Sequence, residues 1–163
     1  AGRHRHGDPY TSRHDAAVQA HGAQRLDAAP RVGLCAADAA EAGFEFELLL
    51  PGTQEPTGAF ITVRGDQSKT VKAYARKKYA EFKLREQQAK RRGKDVDDMT
   101  IEEAEELSIE AAVVRVIGWK GISEGKTDVA FSKENAERIF KEHPWIKDAV
   151  MEEASQLLNF RPK

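Results

Sequence analysis

Apolar and polar positions along this chain follow no period at first, then a period of two, then periods near 3.6. Through residue 42 neither period persists. Phe44-Glu45-Phe46-Glu47-Leu48 then alternates, as a half-buried strand does. Residues 51–58 form a stretch rich in Pro, Gly and Thr that reads as a loop, and Ala59-Phe60-Ile61-Thr62-Val63-Arg64 reads as the returning strand. A hairpin over 44–64 is expected, and two strands alone are marginal in water, so it must pack on a helix or join another chain. Its unpaired edges offer one route to self-assembly.

The period then lengthens. Val71, Tyr74, Ala75, Tyr79 and Phe82 recur at helical steps, as do Ile101, Ala104, Leu107 and Ala111. Asp66 or Ser68 is positioned to cap the first of these helices. The apolar run Ala111-Ala112-Val113-Val114-Arg115-Val116-Ile117 suits a buried strand or a helix end; because Glu102–Glu110 enters it without a breaker, helix is favoured to about 118. Gly125–Asp128 reads as a turn and Val129-Ala130-Phe131 as an extended piece. Two C-terminal helices are expected over 132–160, the first capped by Ser132 and the second opened by Pro144. Ile146, Val150, Leu157 and Leu158 would supply the apolar face of the second. The fold class is therefore mainly α with an N-terminal β-hairpin (α+β), a small helical domain at 43–163.

Charge sharpens this picture. From Lys69 to Lys94 there are eleven basic residues against Glu81 and Glu86; from Asp95 to Glu110 there are eight acidic residues and no basic one. The net charge of −1 averages over these opposed blocks. Two such helices joined by a short connection should lie antiparallel, basic beside acidic. Exposed ion pairs contribute only about 0–1 kcal/mol each, so the charges select the pairing while the apolar stripes must hold it. Residues 1–42 differ in kind: twelve alanines, five arginines, four of the five histidines and no lysine. They read as disordered or loosely helical, or as a segment not native to the domain.

The chemistry that would mark an enzyme is missing. His4, His6, His14 and His21 fit no metal-ligand spacing. The single cysteine, Cys35, excludes an internal disulfide framework and fits a reducing compartment. A cysteine–histidine pair of Cys35 and His143 would need both held rigidly together, which their contexts argue against. Gly121-Ile122-Ser123-Glu124-Gly125-Lys126-Thr127 looks like a phosphate-binding loop but has three residues between its glycines where four are needed. The carboxylates all sit in solvated charge runs. No catalytic residues, cofactor or metal are expected, and no apolar run approaches a membrane span of about 20 residues. Arg64-Gly65-Asp66 reads as a strand-to-helix turn. Trp119 is expected in the core with Phe131 and Trp145 around it. The basic helix 69–94, with Tyr74, Tyr79 and Phe82 interleaved, suits nucleic acid, although the adjoining acidic block would neutralise it.

Several of these stretches occur together in one known family. Phe46-Glu47-Leu48 and the second strand are followed by the charged helices and Gly118-Trp119-Lys120-Gly121. Phe131-Ser132-Lys133-Glu134-Asn135-Ala136 comes next, then the break at His143-Pro144-Trp145-Ile146 and a final Leu157-Leu158-Asn159-Phe160. In this order, from Phe44 to Phe160, the chain resembles the tail assembly chaperones of long-tailed bacteriophages or prophages. The resemblance implies a non-enzymatic protein of the host cytoplasm, absent from the mature virion. Its partners would be the tape measure protein, the tail tube protein, a frameshifted longer form of itself and further copies of the chain. The alternatives are a structural minor tail component of the virion, or a small nucleic-acid-binding protein using helix 69–94. The residues expected to contact a partner are Arg76, Lys77, Lys83, Arg91, Arg92, Glu102 and Glu106.

Overall fold

The computed structural model describes residues 36–161. Its centre is a three-stranded antiparallel sheet in the order β1-β2-β3, with β1 at Phe44–Leu49, β2 at Pro56–Val63 and β3 at Val116–Lys120. The hairpin expected over 44–64 is β1–β2, with Phe46 opposite Ile61 and Phe44 opposite Val63. The third strand corrects the helix expected to reach 118. The helix stops at Arg115, and the chain passes directly into β3, which pairs with the open edge of β2 through Ile61–Trp119 and Phe60–Lys120. Periodicity could not separate the two because the run is apolar on both faces. The physical demand was visible, however: a two-stranded hairpin lacks a partner, and the β-branched Val116-Ile117 suits the place.

Helices cover one face of the sheet. α4 (Lys133–Glu142) and α5 (Pro144–Ser155) follow a two-residue hairpin, β4 (Ser123–Glu124) with β5 (Thr127–Asp128), and a closing 3-10 turn spans Leu157–Phe160. The stretch resembling a phosphate-binding loop is this hairpin. Ser132 caps α4 by accepting from the Asn135 N–H at 3.1 Å. The core gathers Leu48, Ile61, Val63, Ala112, Val113, Ile139, Phe140, Ile146 and Val150, with Phe140, Ile61 and Val150 almost fully enclosed. Leu157 and Leu158 are not part of it, contrary to expectation. The final helix breaks at Gln156, which turns both leucines outward and sends Phe160 inward, edge-on to Phe44 at 6.3 Å. Trp119 lies half-buried on the edge strand, edge-on to Phe131 at 5.0 Å, and its Nε1–H donates to the Val129 carbonyl at 2.7 Å.

The end of the stretch 1–42 packs on the body, where the sequence leads one to expect a disordered or loosely helical segment. Residues 36–42 form a helix, α1 (Ala36–Ala42), and Ala40 is fully buried. The Gly65 N–H donates to the Ala40 carbonyl at 3.0 Å. Alanine-rich sequence carries little apolar signal, although Ala40 is enclosed in the core. Residues 1–35 lie outside the described residues.

Candidate functional site

The site is built from the two charged helices: the first projects from its base, and the second returns along it to form an arm before burying Ile109, Ala112 and Val113 in the core. α2 (Lys69–Arg91) begins at Ser68, a fully buried cap whose Oγ accepts from the Val71 N–H at 3.2 Å. The turn ahead of it, Arg64-Gly65-Asp66, is a junction. The Asp66 N–H donates to the Ala154 carbonyl at 3.0 Å, its carboxylate accepts from Arg115 Nε at 2.8 Å, and Gly65 lies under the Phe160 ring. Glu41 completes the anchor. Its carboxylate accepts from Arg64 Nε at 3.2 Å, from the Thr70 N–H at 3.1 Å and from the Thr70 hydroxyl. The bonds from Thr70, followed by the Arg64 charge, hold the Glu41 carboxyl below its ordinary range. The base of α2 is thus tied to α1, to the sheet and to α3.

Beyond its base, α2 has little to rest on. Val71 is its one buried residue, in a helix of 23 residues and about 35 Å. α3 (Ile101–Arg115) returns alongside it, starting from a complete capping box in which Thr100 and Glu103 exchange bonds at 3.1 and 3.0 Å. Lys78 meets Glu110 at 2.9 Å and Arg85 meets Glu103 at 3.9 Å, a register that makes the pair antiparallel, basic beside acidic. The bond to Glu110 raises the Lys78 ammonium above its ordinary range. The half-buried Tyr74 sits below Lys78, 5.8 Å from ring centre to ammonium. Burial, then the Glu110 charge, pushes its phenol up.

The apolar stripe does not hold the arm together as expected. Val71 is buried and Tyr74 half-buried, but Tyr79 is 64% exposed and Phe82 51%. On the other side Met99 is 51% and Ile101 84% exposed. Phe82, Met99 and Leu107 line an open groove of about 490 Å³ between the helices, rimmed by Lys78, Arg85, Glu103, Glu106 and Glu110. The connection, residues 92–100, closes the hairpin at this end.

All seven residues expected to contact a partner are exposed and lie on this arm. Lys77 and Lys83 pair within their own helix, with Glu81 at 4.0 Å and Glu86 at 3.0 Å, and the Lys83 ammonium stands 5.7 Å from the Tyr79 ring centre. Arg76, Arg91, Arg92, Glu102 and Glu106 have no ion-pair partner among the described residues. Sequence reasoning missed Phe82, Met99 and Leu107 as groove residues. Helical spacing marks an apolar face without saying whether anything covers it. The signal available was charge density, since a helix with charge on nearly every flank has few neighbours.

Among the described residues no three His, Cys, Asp or Glu side chains are grouped to hold a metal ion, and no helix is long and apolar enough to cross a membrane. His143 stands at the α4–α5 break. His4, His6, His14, His21 and Cys35 lie outside the described residues.

Compared with known families, residues 64–163 match the family described as YdaY prophage protein. The match takes in the junction, the whole arm, β3 and the C-terminal helices. No curated protein and no solved structure matches the chain.

Proposed function

The chain belongs to the YdaY prophage protein family, and from that premise we propose that it is a non-enzymatic tail assembly chaperone of the prophage. It binds the tape measure protein through the α2–α3 arm, helps bring tail tube subunits to it, acts in the host cytoplasm and leaves before the virion is complete. The observation that carries this reading is the arm itself, a helical hairpin whose large apolar side chains and part of whose charge its own fold does not satisfy.

The physics of the arm suits such a client. An amphipathic helix laid along the groove would cover Phe82, Met99 and Leu107 with its apolar face and meet charge on both rims. Long-range attraction speeds encounter, and the shallow groove keeps each contact modest, so release remains easy. Similarity to the tail assembly chaperones in the order of strand, charged helices and Gly118-Trp119 supports the assignment of the client. A frameshifted longer form would place the same arm on a second kind of subunit.

The test is co-expression with the tape measure protein of the same prophage. The expected result is that the tape measure protein becomes soluble and is retained with the tagged chain. Equal insolubility with and without the chain, and no co-purification, would overturn the reading. Retention of the chain on DNA at physiological salt would point instead to nucleic acid, and its presence in purified virions to a structural tail component.

A further inference from the structure

We infer that the arm is also a self-association surface, through which two copies dock about a two-fold axis running along their arms. The basic α2 of each faces the acidic first half of α3 in the other, giving a four-helix bundle. The inference rests on the arm's own geometry and not on the identity of the client.

Charge is the first support. Within one molecule Lys78 and Arg85 bridge to α3, which leaves Arg91 and Arg92 on one side without partners among the described residues, and Glu102, Glu105 and Glu106 on the other. A partner that satisfies both sets must carry an acidic and a basic helix side by side. It must carry them at the same heights and in antiparallel order. A second copy turned about an axis along the arms presents that pattern, and the helices then alternate in sign around the bundle. The contact is isologous and closes at two copies.

The second support is apolar. Tyr79, Phe82, Met99 and Ile101 are each half or more exposed on a hairpin only two helices thick. Two helices leave most of each apolar face wet, whereas four give every helix two neighbours and an enclosed centre. The α2 end beyond Tyr79 is about 20 Å of helix held by intrahelical pairs, each contributing only about 0.2–0.5 kcal/mol, and by the single Arg85–Glu103 bridge to α3. A second arm supplies the packing that this end lacks. Because the same groove is used, client and second copy would exclude one another, and the dimer would be the resting form that the client opens.

The experiment is sedimentation velocity of the full chain over rising concentration, with two charge-reversed variants. One carries Lys83→Glu, Arg91→Glu and Arg92→Glu; the other carries Glu102→Lys, Glu105→Lys and Glu106→Lys. The unaltered chain should pass from monomer to dimer. Each variant alone should associate at least about tenfold more weakly while keeping its helical circular dichroism, and an equal mixture should regain the dimer. If a reversed variant loses its helical signal, Phe82→Ser, at a half-exposed position, replaces it and should also weaken the dimer. A chain that stays monomeric at its highest soluble concentration overturns the inference. So does a dimer indifferent to both reversals and to Phe82→Ser, a mixture that fails to associate, or a closed species larger than two. Failure here leaves co-purification with the tape measure protein untouched, since a monomeric arm still offers its groove to a client.

Discussion

At the scale of single residues, the outcome depends on what each side chain touches. Trp119 is half-buried against Phe131 and donates to the Val129 carbonyl. Trp119→Ala should cost about 2–3 kcal/mol in chemical denaturation, less than the ~3–5 of a fully enclosed aromatic. An unchanged midpoint would mean that the ring serves an interface. Two glycines separate backbone strain from collision. Gly93 and Gly121 both have positive φ, +66° and +76°, but a Cβ on Gly93 meets open space while one on Gly121 falls 2.5 Å from the Gly58 carbonyl oxygen. Gly93→Ala should cost about 1 kcal/mol and Gly121→Ala clearly more, because the rigid β2 backbone cannot move aside. Thermal midpoints of the two variants would decide the order. Glu41 adds a pH dependence. Its folded-state pKa lies below the ordinary 4.5, so its contribution is complete above pH 4.5 and is lost as the pH falls through the lower folded value. Glu41→Gln should therefore lower the melting temperature at neutral pH, and the gap from the unaltered chain should close in acid.

At the scale of elements, structure is legible in the sequence wherever local chemistry decides it and hidden where tertiary demand does. Ser68, Ser132 and Pro144 stand where capping rules place them, and both strands of the hairpin follow their alternation. β3 was hidden because an apolar run carries no period. The packing of α1 was hidden because its one deeply buried side chain among the described residues, Ala40, is an alanine. The arm was legible as two antiparallel charged helices, and its exposed groove was not, since exposure depends on the neighbours a helix lacks. These differences make a prediction about α1. A chain beginning at Gly43 loses Ala40 from the core together with the Glu41 bonds to Arg64 and Thr70. It should melt at a lower temperature than one beginning at residue 36, in a comparison by differential scanning calorimetry. Equal midpoints would show that α1 adds nothing to the body.

At the scale of the whole molecule, a firmly packed body holds a loosely packed arm, and the two tolerate change differently. Deleting a core contact such as Phe140 should unfold the protein, whereas altering Phe82 or Met99 should leave it folded, because those side chains already meet water. That separation allows binding to be tested apart from stability. The most direct measurement is calorimetric titration of helical segments of the prophage's tape measure protein into the unaltered chain and into a Phe82→Ala, Met99→Ala variant. Titrated at concentrations where the chain is monomeric, the variant should stay fully helical with affinity reduced by about tenfold or more. Equal affinity in the two proteins, with the variant still fully helical, would contradict the claim that the arm is where the client binds.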